Sequence, residues 1–169
     1  MDVYPQSGSF VAPIRPEDVR EALLIRTGLE VEAVRRVAQQ ADAQPLKRLD
    51  ENLDAQAAAI RDNDMALLDD LDDSVSRHRS SSALNSPRAQ RLLDSARALL
   101  DEAALPCAAG RRPAKTPTLS EHRRIADAIR TGDPELAGAA MRVHIAMVAR
   151  AIELDSAEAE TQARSKSVK

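Results

Sequence analysis

The sequence predicts an all-α fold, an antiparallel bundle of six to seven helices, with a short β-strand or hairpin at the amino terminus. From residue 16 onward apolar residues recur every three or four positions, as they do on the buried face of a helix. Proline, glycine, asparagine and aspartate separate these segments, as is typical of helix starts and ends. With 169 residues the chain has room for one such domain.

Residues 1–14 differ from the rest because their apolar residues alternate around a Pro-Gln-Ser-Gly turn. Val3, Phe10 and Ile14 give the pattern of a strand or of part of a hairpin. A hairpin alone is only marginally stable in water, so we interpret this segment as the remnant of a domain that is mostly missing. Residues 15–155 are predicted to form the helical domain, and the polar residues 156–169 a disordered tail.

The helical domain begins with four predicted helices. The first starts at Pro16, the second spans about residues 29–43, and the third starts at Pro45 and runs through Ile60. The fourth follows Asn63 and frays through the polar residues 80–82. Thr27 and Gly28 interrupt the first helix, because a glycine weakens a helix interior. Asp62 and Asn63 are predicted to end the third helix and to cap the fourth, which stops before Pro87.

Three further helices are predicted after Pro87. The first spans about residues 87–104, and residues 106–118, rich in proline, glycine and basic residues, form a predicted loop. Thr118 or Ser120 then caps a helix that ends at Gly132. Asp133 followed by Pro134 opens the last helix.

The composition argues against several classes of protein. The net charge is -3 and the only aromatic residues are Tyr4 and Phe10, whereas a free-standing nucleic-acid binder needs a basic field or stacking side chains. No apolar run has the length of a membrane span and no signal peptide is recognisable, so we expect a cytoplasmic protein without membrane contact. Cys107 is the only cysteine, so no internal disulfide can form.

All three histidines, His78, His122 and His144, lie at helical spacing from apolar residues. Each imidazole is therefore predicted to point into the bundle, where its charged form is costly and its neutral form needs a partner. Two explanations remain open. Either each histidine is a hydrogen-bonded core residue, or the three histidines converge on a divalent metal together with a carboxylate from the fourth predicted helix.

That fourth helix is rich in acidic residues shortly before His78. The aspartates are Asp69, Asp70, Asp72 and Asp73. One of them could complete a metal site, although an aspartate-rich turn is more often a solvated face. Arg26 and Arg142 could pair with an anionic ligand, with solvation at the surface as the alternative for each. The chain has no nucleophile elbow and no phosphate-binding glycine loop, so we predict no catalytic residue and no enzyme.

Residues 120–152, SEHRRIADAIRTGDPELAGAAMRVHIAMVARAI, resemble the last two helices of the FCD ligand-binding domain, found in the FadR branch of GntR-type regulators. The shared frame consists of Glu121-His122, Ile125, Ala128-Ile129, Gly132-Asp133, Met141 and His144. Residues 19–38 resemble the start of the same domain, with its Arg-x-x-Leu-Glu element at Arg26, Leu29 and Glu30. The segment VYPQSGSFVAPI resembles the wing strand of the family's winged-helix DNA-binding domain.

The resemblance implies a dimeric intracellular sensor that holds a small organic acid against a divalent metal such as zinc or nickel. Such members bind the metal through an Asp-x-x-x-His pair on the fourth helix and one histidine on each of the last two. The corresponding residues here are Asp73 and His78 with His122 and His144. His78 falls one position late in this spacing, and Arg77, in its place, is an alternative contact for the ligand carboxylate.

The predicted function is therefore effector sensing in a transcription regulator that acts as a homodimer. A small carboxylate would bind in the bundle and change the placement of the dimer partners, and DNA would be contacted only through a winged-helix domain outside this chain. Three alternatives stay open: a metal-free acyl-CoA sensor, a stand-alone helical dimerisation module, and a metal-dependent hydrolase or lyase. The inward histidines of the last two helices disfavour the acyl-CoA sensor.

Overall fold

A computed structural model of the chain describes residues 14–40, 43–103 and 116–167, with side chains except those of residues 43–45, 75–82, 116–118 and 154–167. These residues form six helices. They are α1 (Pro16–Gln40), α2 (Ala43–Arg61), α3 (Met65–Leu84), α4 (Pro87–Ala103), α5 (Thr116–Arg130) and α6 (Pro134–Ser167). The described residues contain no strand, which confirms the all-α class. Residues 1–13 of the predicted strand segment lie outside them.

α1 is the central helix and packs against α3, α4, α5 and α6. Its end lies beside the start of α6, where Arg35 pairs with Glu135. Its start lies beside a later part of α6, because Ala22 and Ile152 belong to one buried cluster. α1 and α6 are therefore antiparallel, and α2 completes the bundle by packing on α3 and α5.

The core of the bundle consists of aliphatic side chains and alanine, with the larger cluster centred on α1, α5 and α6. Small residues let these helices approach closely. A Cβ atom added at Gly138 of α6 would lie 3.2 Å from Cγ of Arg35 on α1. None of the helices in the described part of the chain has an apolar stretch that could span a lipid bilayer.

Contrary to the prediction, Thr27 and Gly28 do not interrupt the first helix. α1 runs without a break, and the Thr27 hydroxyl donates a hydrogen bond of 2.7 Å to the carbonyl of Leu23 one turn earlier. A glycine inside a helix costs about 0.5–1 kcal/mol relative to alanine. The burial of apolar residues on both sides of Gly28 outweighs that cost, so the described part of the chain forms six helices rather than seven.

Two helix starts differ from the sequence prediction. Asp64, rather than Asp62 or Asn63, caps α3, since its side chain accepts a hydrogen bond of 3.0 Å from the N–H of Leu67. α5 begins at Thr116, inside the predicted loop of residues 106–118. The first turn of a helix tolerates the proline at position 117, because N–H groups there have no partner within the helix. Residues 104–115 lie outside the described part.

α6 also ends later than predicted. It continues to Ser167, past residue 156, where the sequence analysis placed the start of a disordered tail. The segment after residue 156 contains no proline or glycine, and alanine, glutamate, lysine, glutamine and arginine make up most of it. These residues have high helix propensity, and an existing helix extends through them at little cost.

The turn between α5 and α6 confirms the prediction for this region. Gly132 adopts a φ of +72°, a left-handed conformation that suits glycine because it has no Cβ. Asp133 then caps α6, with Oδ1 accepting hydrogen bonds from the N–H groups of Glu135 at 2.8 Å and Leu136 at 3.2 Å. This turn fixes where α6 starts against α5 and therefore which residues of the two helices meet.

Alanine at Gly132 and alanine at Gly28 should change the free energy of unfolding in opposite directions. The left-handed conformation at Gly132 costs a residue with a Cβ about 1–2 kcal/mol, so Gly132→Ala is expected to destabilise by that amount. At Gly28 an added Cβ meets no atom within 4 Å, and Gly28→Ala is expected to stabilise by about 0.4–1 kcal/mol. Urea unfolding followed by circular dichroism measures both changes, and shifts of the same sign would contradict this explanation.

Candidate functional site

Two histidines lie side by side in the interior of the bundle. His122 of α5 is 0% exposed and His144 of α6 is 3% exposed. Their ring centroids are 4.9 Å apart with an angle of 54° between the ring planes. Both imidazoles point inward, as their helical spacing indicates, and they meet because α5 and α6 pack against each other.

The two ring nitrogens of His122 each face an oxygen atom from a different helix. Nδ1 is 3.1 Å from Oε1 of Gln56 on α2, and Nε2 is 3.2 Å from Oδ1 of Asp72 on α3. Gln56 is buried, while the side chain of Asp72 is 30% exposed. The histidine pair is thus the place where α2, α3, α5 and α6 come together.

His144 is held by a carboxylate. Its Nδ1 lies 2.9 Å from Oε2 of Glu121 on α5, and both residues are buried. A carboxylate accepts hydrogen bonds, so Nδ1 of His144 carries the proton of this bond. Since Glu121 directly precedes His122, one turn of α5 supplies one ring of the pair and orients the other.

Gln56 is held in turn by a second amide on α2. Its Nε2 donates a hydrogen bond of 2.7 Å to Oδ1 of Asn52, and Nδ2 of Asn52 donates one of 3.0 Å to the main-chain carbonyl of Leu71 on α3. Both amides lie on the buried side of α2, where a polar group without a partner would be costly. We call the path from the Leu71 carbonyl through Asn52 and Gln56 to His122 the amide relay.

Arg26, predicted as a contact for an anionic ligand, lies instead in a separate buried ionic cluster. Its Nε donates a hydrogen bond of 2.8 Å to Oε1 of Glu30, one turn later on α1. Nη2 of Arg97 on α4 lies 3.2 Å from the same oxygen, and Asp94 lies 4.0 Å from Nη1 of Arg97. This cluster joins α1 to α4. Arg142 is exposed on α6.

The α3 residues of the predicted site are Asp73, Arg77 and His78. Asp73 is half-buried and has a partner of its own, whereas the carboxylate in contact with His122 is that of Asp72. Arg77 and His78 lie on α3, but their side chains fall outside the described part of the structure. Among the side chains that are described, no group of three or more His, Cys, Asp or Glu residues has the spacing of a metal site.

No motif in the sequence marks Gln56 or Asn52. A signal was present, because Gln56 lies three residues after Leu53 and seven after Leu49, which are both buried. A glutamine in an apolar stripe of this kind indicates a buried polar contact. Spacing alone does not decide which of the four aspartates of α3 faces inward, so it does not distinguish Asp72 from the other three.

Helical bundles build their ligand and metal sites from side chains on facing helices, and the buried polar centre of this bundle lies at such a place. Comparison with known families specifies the class further. Residues 21–147 match the FCD domain, and the chain belongs to the FCD domain family. The FCD domain is a regulatory ligand-binding domain. Membership in this family suggests a role in effector sensing, as in GntR-type regulators. A comparison with curated proteins gave no match.

Neutralising Glu30 should destabilise the protein far more than neutralising Glu32, two residues later on α1. Glu30→Gln removes the carboxylate that Arg26 and Arg97 share in the interior, and breaking a buried ion pair typically costs about 3–5 kcal/mol. Glu32 pairs with Arg36 at 2.7 Å on the surface, where a pair within one helix contributes about 0.3–0.5 kcal/mol.

The comparison between the two variants uses urea unfolding of the purified chain at one pH and one salt concentration. Because both substitutions replace glutamate by glutamine on α1, they change helix propensity and net charge equally. Similar losses for Glu30→Gln and Glu32→Gln would show that the buried ionic cluster does not stabilise the contact between α1 and α4.

Proposed function

We propose that the protein is the effector-sensing domain of a GntR-type transcription regulator, and that its effector is a small organic acid bound with the help of a divalent metal at the His122 and His144 pair. One observation carries the proposal. Two buried imidazoles from different helices are in contact, with a carboxylate against one of them. The membership in a family of regulatory ligand-binding domains supports the sensing role.

The hydrogen bonds of the two rings fit the requirements of metal ligands. A histidine that binds a metal through one ring nitrogen almost always donates its other N–H to a carboxylate or a carbonyl oxygen, which orients the ring. Here Nδ1 of His122 faces the side-chain carbonyl of Gln56, and Nδ1 of His144 faces Glu121. Nε2 is the nitrogen of each ring that can bind a cation.

The distance between His122 and Asp72 also suits a shared metal ion. Two donor atoms that each lie about 2.1 Å from a tetrahedrally coordinated zinc ion are about 3.4 Å from each other. Nε2 of His122 and Oδ1 of Asp72 are separated by 3.2 Å. Imidazole nitrogen together with carboxylate oxygen is a donor set that binds zinc and nickel.

The proposed ligands are therefore His122, His144 and Asp72. These three side chains do not have the spacing of a formed metal site, so metal binding requires them to move closer together. His78 lies six residues after Asp72, about 120° around α3 and about 9 Å further along it, so the two cannot share one ion in a regular helix and His78 is not part of this set. Asp72 takes the place that the resemblance assigns to Asp73, because Asp72 is the carboxylate against His122. When bound, the metal supplies a positive charge and an open coordination position for an effector carboxylate. Arg77, on the same helix as Asp72, is the proposed alternative contact for that carboxylate.

The site is placed where a ligand can influence the arrangement of the helices. His144 belongs to α6, which packs along the central helix α1, and Asp72 belongs to α3, which also packs on α1. A ligand that binds one arrangement of these helices more tightly shifts the population toward it. In the proposed homodimer, this shift changes the spacing of two winged-helix domains outside this chain and thereby the affinity for DNA.

Zinc titration of metal-depleted protein tests the site. His122→Ala, His144→Ala and Asp72→Asn are each expected to weaken zinc binding by at least tenfold, because each removes a proposed ligand. Asp70→Asn is the matched control, since Asp70 is exposed two residues before Asp72 on the same helix. Competition with a chromophoric chelator gives the affinities. Unchanged zinc affinity in His122→Ala or His144→Ala would rule out the proposed ligand set.

Thermal unfolding with candidate effectors tests the sensing role. In the zinc-loaded protein a small dicarboxylate or hydroxy acid is expected to raise the melting temperature, and the rise should disappear after zinc is removed. A rise that persists without zinc would favour metal-free sensing, and retention of acyl-CoA in native mass spectrometry would identify that ligand class. No stabilisation by any carboxylate would favour a dimerisation module.

A further inference from the structure

We propose that Gln56 and Asn52 of α2 are positioning residues that hold His122 in the tautomer whose Nε2 is open to a cation. This inference rests on the proposed metal-assisted function, but it concerns a helix that contributes no proposed ligand. It follows from the direction of the hydrogen bonds in the amide relay. That direction is fixed by the one member of the relay that can only accept.

The fixed point of the relay is the main-chain carbonyl of Leu71. A carbonyl oxygen has no proton to give, so the atom of Asn52 that lies 3.0 Å from it must be the amide nitrogen Nδ2. The other end of the Asn52 amide is then Oδ1, an acceptor. The Gln56 atom that lies 2.7 Å from Oδ1 must in turn be the nitrogen Nε2. Both amide orientations are thus determined by chemistry.

The same reasoning determines the tautomer of His122. With its nitrogen turned to Asn52, Gln56 presents Oε1 to the ring, 3.1 Å from Nδ1. This oxygen only accepts, so Nδ1 carries a proton and donates it to the bond. In the neutral imidazole Nε2 then has a lone pair and no proton, which is the state that a metal ligand requires.

The contact of Nε2 with Asp72 shows why this tautomer needs to be held. A lone pair on Nε2 and a carboxylate oxygen 3.2 Å away are two acceptors, and they repel each other unless a positive charge lies between them. A proton on Nε2 would relieve the repulsion, either in the other neutral tautomer or in the doubly protonated ring, which keeps the bond to Gln56 and forms an ion pair with Asp72. Without the amide relay His122 is therefore expected to change tautomer and to bury its Nε2 proton against Asp72.

The amide relay also fixes the position of His122 relative to Asp72. It starts at the carbonyl of Leu71, the residue directly before Asp72 on α3, and ends at the ring that faces Asp72. The contacts thus form a closed circuit through α3, α2 and α5. The relay holds the ring of His122 against the main chain of α3, because neither amide nor the ring can turn without breaking a hydrogen bond of the relay.

The tautomer of His122 can be observed directly in metal-free protein labelled with 15N-histidine. Long-range 1H–15N correlation spectra above neutral pH distinguish a protonated Nδ1 from a protonated Nε2, and the chain has only three histidines. The wild type is expected to show the Nδ1–H form for His122. Gln56→Leu is expected to show the Nε2–H form and to bind zinc about 10- to 100-fold more weakly.

Two further variants separate positioning from a general structural role. Gln56→Glu keeps an acceptor in front of Nδ1 but cannot donate to Asn52, so it is expected to keep the Nδ1–H form while the protein unfolds at a lower temperature. Gln90→Leu on α4 is the matched control for loss of a partly buried glutamine, since the Gln90 side chain donates a hydrogen bond of 2.9 Å to Asp94 within its own helix. It should change neither the tautomer nor the zinc affinity.

The outcomes distinguish this inference from the proposed function. If the wild type binds no zinc but Gln56→Leu changes the tautomer, the metal proposal fails and the positioning role stands. If the wild type binds zinc and Gln56→Leu changes neither the tautomer nor the affinity, the positioning role is overturned. Should Gln56→Leu fail to fold, Asn52→Leu replaces it. Asn52→Leu frees the Gln56 amide to turn, so His122 is expected to show a mixture of both tautomers. A pure Nδ1–H form in this variant would overturn the proposal.

Discussion

The buried contact between His122 and His144 is the constraint on which the arrangement of the bundle depends. Two imidazoles that are withdrawn from water need partners, since a polar group buried without one costs roughly 1–3 kcal/mol. The partners come from three helices: Gln56 from α2, Asp72 from α3 and Glu121 from α5. These directional contacts fix how the helices are rotated about their axes, which aliphatic packing alone would leave less well determined.

A second polar cluster has a different effect. Glu30 lies between Arg26 and Arg97 beside the smaller apolar cluster formed by α1, α4 and α6. A buried ion pair adds little net stability compared with apolar residues of the same volume. Its geometry nevertheless aligns α1 with α4, because a shifted register would leave a buried charge without its counterion. The histidine pair thus connects α2, α3, α5 and α6, and the ionic cluster connects α1 to α4 at a separate place.

The sequence indicated the helices well wherever proline, asparagine, aspartate or glycine ends them, as in the turn at Gly132. It failed at Thr27 and Gly28, where tertiary burial outweighs a weak local preference. His122 and His144 could be predicted because their inward direction follows from spacing to apolar neighbours. Arg26 was assigned to a ligand, although Glu30 one turn later is the spacing of a pair within a helix.

The carboxylate and the amides of the site were harder to predict for a physical reason. Adjacent residues on a helix point in directions about 100° apart, so Asp72 and Asp73 face different directions, and an error of one position exchanges them. Gln56 and Asn52 act through the direction of their hydrogen bonds. That direction depends on the carbonyl of Leu71, which comes from a different helix and is not visible in a sequence pattern.

α6 extends well beyond its contact with the start of α1. Ile152 lies at the level of Ala22, and from there α6 runs about 22 Å further to Ser167, whereas α1 reaches its start within about 9 Å. The last turns of α6 therefore project beyond the end at which the chain enters α1. Ser167 is about 35 Å from His144 along a continuous helix, so a tilt of about 5° at the histidine displaces that tip by about 3 Å. Small adjustments in the interior are thereby magnified at the outer end of the domain.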